Sequence, residues 1–170
     1  MKPTAKKKLL LAIALISSTS FSIVTHALEV GQPAPQFVLP SLQDNKPIEL
    51  KNYAGKVLYI DFWASWCAPC RTSFPLLDAL HKKLHAKGFE VLGVNLDEDK
   101  AKAEEFIKEL PVGFTLLNDG KGEWADKYVI ESMPTSFIVD KHGIVKHIHN
   151  GFTSGDIVEL EKTITALLAE

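Results

Sequence analysis

The chain has 170 residues, of which 46% are hydrophobic and 24% are charged, so it can form one packed domain and is not a disordered segment. Its formal net charge of −2 excludes the strongly basic surface of a general nucleic-acid binder. The two cysteines, Cys67 and Cys70, are three residues apart, which excludes a framework of disulfides scattered along the chain.

The first 27 residues have the pattern of a secretory signal peptide. Four lysines and no acidic residue accompany an apolar run at residues 9–16, and small residues follow as far as Ala27. The run is shorter than the roughly 20 apolar residues that span a bilayer, so cleavage after Ala27 is favoured over an uncleaved anchor. Removal of residues 1–27 leaves a domain of residues 28–170 with 15 basic and 21 acidic residues, a net charge of −6. We therefore expect a periplasmic or otherwise extracytoplasmic protein.

Hydrophobic periodicity after this segment predicts a single α/β domain. The predicted elements, in chain order, are strands at 37–39, 48–50 and 57–62, a helix after Cys70 that ends at Gly88, a strand at 90–96, a helix at 100–110, a strand at 114–117, a short helix at 124–128, strands at 135–139 and 144–149, and a helix from Ser154 to the C-terminus. Strands that alternate with helices form parallel pairs, whereas the last two strands flank a turn and pair antiparallel. The prediction is a mixed central sheet flanked by helices, with an added N-terminal β-hairpin.

The two cysteines lie where a predicted buried strand gives way to a predicted helix. Free N–H groups and the helix dipole at a helix N-terminus stabilise a thiolate, which is the attacking form of cysteine. Cys67, at the exposed edge, is therefore the predicted nucleophile, and Cys70, one turn further in, is the predicted resolving residue. Pro69 suits the first helical turn, where its missing N–H costs nothing.

Two structural interpretations of the cysteine pair are less favoured. A stable disulfide between Cys67 and Cys70 would close a very small loop and would constrain the unfolded chain little. Half of a zinc site would need further ligands, and the chain has no second cysteine pair. His147 and His149 would share one face of a strand, a pattern more typical of solvent-exposed residues. We predict no metal site and no cofactor.

The segment around the cysteines resembles the thioredoxin superfamily. Residues 61–70, in which Trp66 directly precedes the first cysteine, resemble the thioredoxin active-site segment. Residues 31–35, 46–55 and 133–140 resemble more specifically the TlpA/ResA branch of exported thioredoxin-like proteins. The resemblance covers nearly all of the chain after the signal peptide. It implies a thioredoxin fold and a thiol–disulfide oxidoreductase.

The resemblance also implies which residues surround the cysteines. The Met133–Pro134 peptide bond is expected to be cis and to present the backbone of Met133 to a bound peptide by strand-like pairing. Trp66 is expected to shield the disulfide and to form part of the docking surface. Ala68 and Pro69, between the cysteines, are expected to tune the redox poise.

One acidic residue distinguishes the chain from its branch. TlpA/ResA-like proteins often carry Asn where this chain has Asp61 and Glu where it has Ser73, whereas Asp61 matches the buried acid of thioredoxin. Burial should raise the pKa of Asp61, which is then expected to accept the proton of Cys70, through a water, as that sulfur attacks the mixed disulfide. The matching position on the next strand is predicted to be Gly93, so no lysine offsets the acid there. A structural hydrogen bond is the alternative role of Asp61, and Glu131 is a second, weaker candidate acid.

Pro69 beside the second cysteine favours a reductase of disulfides in exported proteins, as in reductive members of the superfamily. An apocytochrome c awaiting haem is one such substrate. The resemblance implies a membrane electron donor of the DsbD/CcdA type, and we expect a monomer that binds no nucleic acid.

The alternatives to a reductase are an oxidase or isomerase with the same residues, a copper-binding or other metal-binding redoxin-like module, and a peroxiredoxin. The proline that precedes a peroxidatic cysteine is absent here.

Overall fold

Seven strands and four helices follow one another along residues 28–170, the part of the chain that the computed structural model describes. The strands are β1 (Val38–Pro40), β2 (Pro47–Glu49), β3 (Val57–Trp63), β4 (Phe89–Asn95), β5 (Thr115–Asn118), β6 (Thr135–Val139) and β7 (Val145–Asn150). The helices are α1 (Ala68–Leu84), α2 (Lys100–Glu109), α3 (Glu123–Lys127) and α4 (Asp156–Ala169). The predicted order of strands and helices is confirmed, and two short 3-10 helices at Leu50–Tyr53 and His85–Lys87 are additional.

The predicted signal peptide and its cleavage point lie outside the described residues. Within residues 28–170, no helix combines the length and the apolar character needed to cross a membrane.

The central sheet has five strands in the order β5-β4-β3-β6-β7. Strand β3 pairs parallel with β4, and β4 pairs parallel with β5, while β6 is antiparallel to both β3 and β7. Strands β1 and β2 form a separate antiparallel hairpin. The predicted thioredoxin fold, a mixed sheet flanked by helices with an added N-terminal hairpin, is therefore confirmed.

Strand β3 lies at the centre of the sheet and is buried along its whole length. Side chains alternate between the two faces of a strand. Tyr59 and Trp63 pack in one hydrophobic cluster with residues of α1, α2 and α4. Leu58, Ile60 and Phe62 pack on the other face with residues of the N-terminal region and α3. This double burial explains why the strand is a continuous apolar run interrupted only by Asp61.

Helix α1 begins directly after Cys67, whose backbone is extended and whose sulfur accepts a hydrogen bond from the backbone N–H of Cys70. Pro69 lies in its first turn, as predicted, where no intrahelical donor is needed. The helix ends at Leu84, and the chain turns away at Gly88, which has a φ of 97°. The left-handed region favours glycine, so Gly88 permits the tight return into β4.

Candidate active site

The two cysteines form a disulfide at the N-terminus of α1. Their sulfurs are 2.03 Å apart and their Cα atoms are 5.3 Å apart. Cys67 retains 3% of its surface exposed and Cys70 none, so the pair is almost wholly covered. The expectation that Cys67 lies at an exposed edge is therefore wrong in degree, because both cysteines pack into the cluster around α1. The residue directly before them, Trp66, is by contrast 69% exposed to solvent.

A hydrogen-bond network centred on a buried carboxylate holds the segment that leads into the cysteines. Both carboxylate oxygens of Asp97 accept hydrogen bonds from Ser65, one from the backbone N–H and one from the hydroxyl, each at 2.8 Å. The Asn95 side chain also donates to Asp97 at 2.8 Å. Asp97 is only 4% exposed, whereas Ser65 is half-buried. The bonds to Ser65 fix the chain two residues before Cys67, and we therefore expect Asp97 to position the cysteine segment.

Replacing Asp97 with alanine is expected to slow disulfide exchange about tenfold, because small displacements of a reacting group cost rate steeply. The loss of a buried acceptor should also lower the free energy of unfolding by about 1–3 kcal/mol. The rate of insulin-disulfide reduction and urea denaturation at pH 7 check the two effects.

Asp119→Ala is the matched control for Asp97→Ala. Asp119 is equally buried and its carboxylate likewise accepts hydrogen bonds, but the donors are the backbone N–H groups of Trp124 and Ala125 in α3. This variant should lose stability and keep its rate of exchange. Equal rate losses in both variants would show that Asp97 acts only through stability.

The Met133–Pro134 peptide bond is cis, as the family resemblance predicted. The loop around it is fixed at two points. The backbone N–H of Gly151 donates to the carbonyl of Pro134 at 2.7 Å, and the hydroxyl of Thr135 donates to the carbonyl of Ser132 at 2.8 Å. Met133 packs against the hydrophobic cluster that contains both cysteines. The loop therefore packs against the same hydrophobic cluster as the cysteines, although it is more than 60 residues away from them in the sequence.

Asp61 is buried in the middle of β3 and is 2% exposed. Its Oδ2 atom has no hydrogen-bond partner among residues 28–170. Burial raises the pKa of Asp61 to about 8, because the ionised form loses its hydration. Asp61 lies on the same face of β3 as Tyr59 and Trp63, which pack with the cysteines. The carboxyl is thus a titratable group inside the cluster that encloses the disulfide.

Gly93 lies opposite Asp61 on β4, as predicted. A Cβ atom at this position would lie 2.7 Å from Cδ2 of Leu116 and 3.2 Å from Nε1 of Trp63, so the packing leaves no room for a side chain. A lysine that would offset the charge of Asp61 therefore cannot occupy this site without rearrangement.

Ser73 and Glu131 are the two other positions at which a catalytic acid could be expected from the sequence. Ser73, where the TlpA/ResA branch often has Glu, is buried, and its hydroxyl donates to the carbonyl of Cys70 at 3.2 Å. Glu131 is exposed in the loop before Met133. Of the three positions Asp61, Ser73 and Glu131, only Asp61 holds a buried carboxyl.

Sequence reasoning missed the network of Asp97, Asn95 and Ser65. A signal was present, because Ser65 follows β3 and Asp97 follows β4, and these strands are parallel neighbours. The carboxyl ends of parallel neighbours lie at the same edge of a sheet, which is where binding and catalytic groups collect in α/β proteins.

Comparisons with known proteins agree with this geometry. Residues 30–148 match the AhpC/TSA family. The chain is 34% identical over 139 residues to the thiol-disulfide oxidoreductase ResA of Bacillus thuringiensis subsp. konkukian (strain 97-27), covering 81% of this chain and 80% of that protein. It is 31% identical over 146 residues to ResA of Bacillus subtilis (strain 168), covering 84% and 81% of the two chains. A solved structure described as a candidate thiol:disulfide interchange protein DsbE from Chlorobium tepidum is 42% identical, with a TM-score of 0.80, and the match covers 84% of this chain and 99% of that one.

Proposed function

This chain belongs to the AhpC/TSA family and is a thiol–disulfide oxidoreductase of the ResA-like branch of the thioredoxin superfamily, and we propose that it reduces disulfides in exported proteins through Cys67 and Cys70. The observation that carries the proposal is the disulfide at the start of α1, with Cys67 as the residue that caps the helix. Helix N-termini stabilise thiolates, and thiolates are the attacking species in disulfide exchange.

In the first step, the Cys67 thiolate attacks one sulfur of a substrate disulfide. A mixed disulfide forms between Cys67 and the substrate, and the second substrate sulfur leaves as a thiolate that takes a proton from water. Trp66, which is exposed, and the backbone of Met133 beside the cis Pro134 form the surface on which the substrate peptide docks. Ala68 and Pro69 lie between the cysteines and tune their reduction potential.

In the second step, Cys70 attacks the sulfur of Cys67, and the first substrate sulfur leaves. The Cys70 thiol must lose its proton for this attack, and the carboxylate of Asp61 accepts it, through a water. A pKa of about 8 leaves about a tenth of Asp61 ionised at pH 7, which suits an acceptor working near neutral pH. The protonated form of Asp61 returns the proton when the enzyme's disulfide is reopened.

Each cycle leaves Cys67 and Cys70 oxidised, so the enzyme needs two electrons from outside. A periplasmic or other extracytoplasmic location, reached after cleavage of residues 1–27 from the domain of residues 28–170, lacks the reducing pool of the cytoplasm. A membrane dithiol donor of the DsbD/CcdA type would supply the electrons, and apocytochrome c is a candidate substrate. The protein would act as a monomer without a metal at the cysteines.

The Cys70→Ser variant is expected to accumulate the mixed disulfide, because Cys67 still attacks while the resolving sulfur is missing. The reduced variant, incubated with insulin and then with a periplasmic extract, should give adducts on a non-reducing gel that disappear with dithiothreitol. Mass spectrometry of the adducts identifies the partner proteins and the attacking cysteine. The Cys67→Ser, Cys70→Ser double variant should give no adducts.

Two results would contradict the proposal. Adducts attached through Cys70 in a Cys67→Ser variant, formed as fast as those through Cys67, would reverse the assigned roles. A reduction potential of about −120 mV would favour the oxidase or isomerase over the reductase.

A further inference from the structure

A second cluster of chemically active side chains lies at the opposite end of α1 from the cysteines. His81 is in the last turn of α1, His85 follows directly after it, and Glu90 is the second residue of β4. Residues four apart in a helix share one face, and the two imidazole rings are 4.8 Å apart between centroids. His81 lies eleven residues after Cys70, about 16 Å further along the helix, so the cluster is separate from the redox centre.

Glu90 is the centre of this cluster. Its side chain is 8% exposed, and it contacts both histidines. Its Oε2 atom is 3.1 Å from Nε2 of His81, and its Oε1 atom is 3.3 Å from Nδ1 of His85. The ammonium of Lys56 also donates to Oε1. A buried carboxylate with two imidazole nitrogens is a ligand set found in zinc sites.

The ligand atoms of the three residues lie close enough together to reach one metal ion. Zinc binds imidazole nitrogen at about 2.0–2.1 Å and carboxylate oxygen at about 2.0–2.2 Å, so neighbouring ligands in a tetrahedron lie about 3.3 Å apart. The Nε2 atom of His81 lies 3.1 Å from Oε2 of Glu90, and the Nδ1 atom of His85 lies 3.3 Å from Oε1, so each carboxylate oxygen has one imidazole nitrogen at about this distance. One ligand atom from each of the three residues lies within 4.8 Å of the others. The His85 side chain is 55% exposed and is free to close the remaining distance.

The cluster is open on one side. A depression of about 600 Å³, which Tyr53 and Thr115 also line, borders both histidines and Glu90. Solvent can therefore reach the ligand atoms, and the depression provides both an entry path and room for a water as the fourth ligand.

We propose that His81, His85 and Glu90 form a binding site for a divalent transition-metal ion of the zinc class. Two imidazoles and one carboxylate suit zinc and copper better than magnesium or calcium, which take oxygen ligands. The metal ion would displace the Lys56 ammonium from Oε1 of Glu90, so Lys56 competes with the metal. The bound ion would tie the end of α1 to the start of β4.

Isothermal titration of the oxidised full-length chain, without an added histidine tag, with zinc chloride tests this site. Oxidised protein is used because a free cysteine pair would bind zinc itself. We expect about one zinc ion per chain and a midpoint of thermal unfolding that rises with zinc concentration, because binding to the folded state stabilises it. The absence of a binding heat and of a thermal shift would overturn the proposal.

Three variants locate the binding. His85→Ala should weaken zinc binding by about tenfold or more, and its unfolding without zinc should be unchanged because the ring is largely exposed. Lys56→Met should tighten binding, because it removes the competing cation. A His147→Ala, His149→Ala double variant should bind zinc as the parent chain does. Zinc affinity that survives His85→Ala, or that falls in the double variant alone, would contradict the assignment. If His85→Ala does not fold, an unchanged or weaker affinity in Lys56→Met contradicts it instead.

Discussion

Replacing Cys67 with serine is expected to lower the rate of disulfide reduction by about three orders of magnitude or more. A serine hydroxyl does not ionise near neutral pH and cannot form a mixed disulfide, so the first step of the exchange is lost. The measurement is reduction of insulin disulfides by the pre-reduced protein, with dithiothreitol as the electron source, followed as turbidity and corrected for the uncatalysed rate.

Cys70→Ser is the matched control for Cys67→Ser. Both variants lose the same disulfide, so any effect on stability is shared between them. Cys70→Ser should still react rapidly with an aromatic disulfide reagent through Cys67. Cys67→Ser should react slowly, because Cys70 has no exposed surface. If both variants reacted rapidly with this reagent, either sulfur could attack, and the assignment of Cys67 as the nucleophile would be wrong.

Replacing Asp61 with asparagine is expected to stabilise the folded protein at pH 7 by about 4 kcal/mol. The pKa of Asp61 is about 8 in the folded protein, against an ordinary value of 3.8. The folded state therefore binds a proton that the unfolded state releases. Each pH unit between these values lowers the stability of the parent chain by about 1.4 kcal/mol.

The pH window follows from the sign of the shift. Because the folded pKa is raised, the contribution of Asp61 to stability is fully present below about pH 4 and is lost as the pH rises to about 8. Guanidinium chloride unfolding of the oxidised parent and of Asp61→Asn should give similar free energies at pH 4. The difference between the two free energies of unfolding should increase from pH 4 through pH 6 and become constant above pH 8.

Asp140→Asn is a control of opposite sign. Burial opposes the ionisation of Asp140, but hydrogen bonds from the backbone N–H groups of Ile144 and His142 lower the pKa of Asp140 below its ordinary value. This carboxylate stabilises the fold above that ordinary value, so the substitution should cost stability at pH 7 and less at low pH. If Asp61→Asn showed the same trend as Asp140→Asn, the buried carboxyl of Asp61 would have to be ionised at neutral pH.

The same Asp61→Asn variant should be slower at catalysis although it is more stable. Loss of a proton acceptor typically costs about a hundredfold or more in rate. The affected step is the attack of Cys70 on the mixed disulfide, and the rise of that rate with pH near 8 should disappear. A variant that kept the parent pH profile would leave Asp61 with a structural role only.

The fold could be predicted from the sequence because its elements have strong local patterns. Strand β3 is a nearly continuous apolar run, and the apolar positions of α1 recur with helical spacing after Pro69. The strand predicted at 90–96 likewise agrees with the observed Phe89–Asn95 to within one residue at each end. The two 3-10 helices were not predicted, because such short turns have little periodicity of their own.

The site could be predicted only in part. The cysteine pair and Asp61 lie in one segment of ten residues, so the sequence shows their relation directly. The contact between Asp97 and Ser65 joins residues 32 apart, and it depends on β3 and β4 being neighbours. No local pattern of residue types marks such a contact.

The sequence by itself determined the order of elements, the placement of Cys67 and Cys70 at a strand-to-helix junction, and the burial of Asp61, because periodicity and helix termini act over a few residues. The tertiary structure alone decided how deeply the disulfide is covered, how Asp97 holds the segment before it, and that Glu90 meets the two histidines of α1. These features depend on which elements become neighbours when the sheet forms, and that is set by packing of the whole domain.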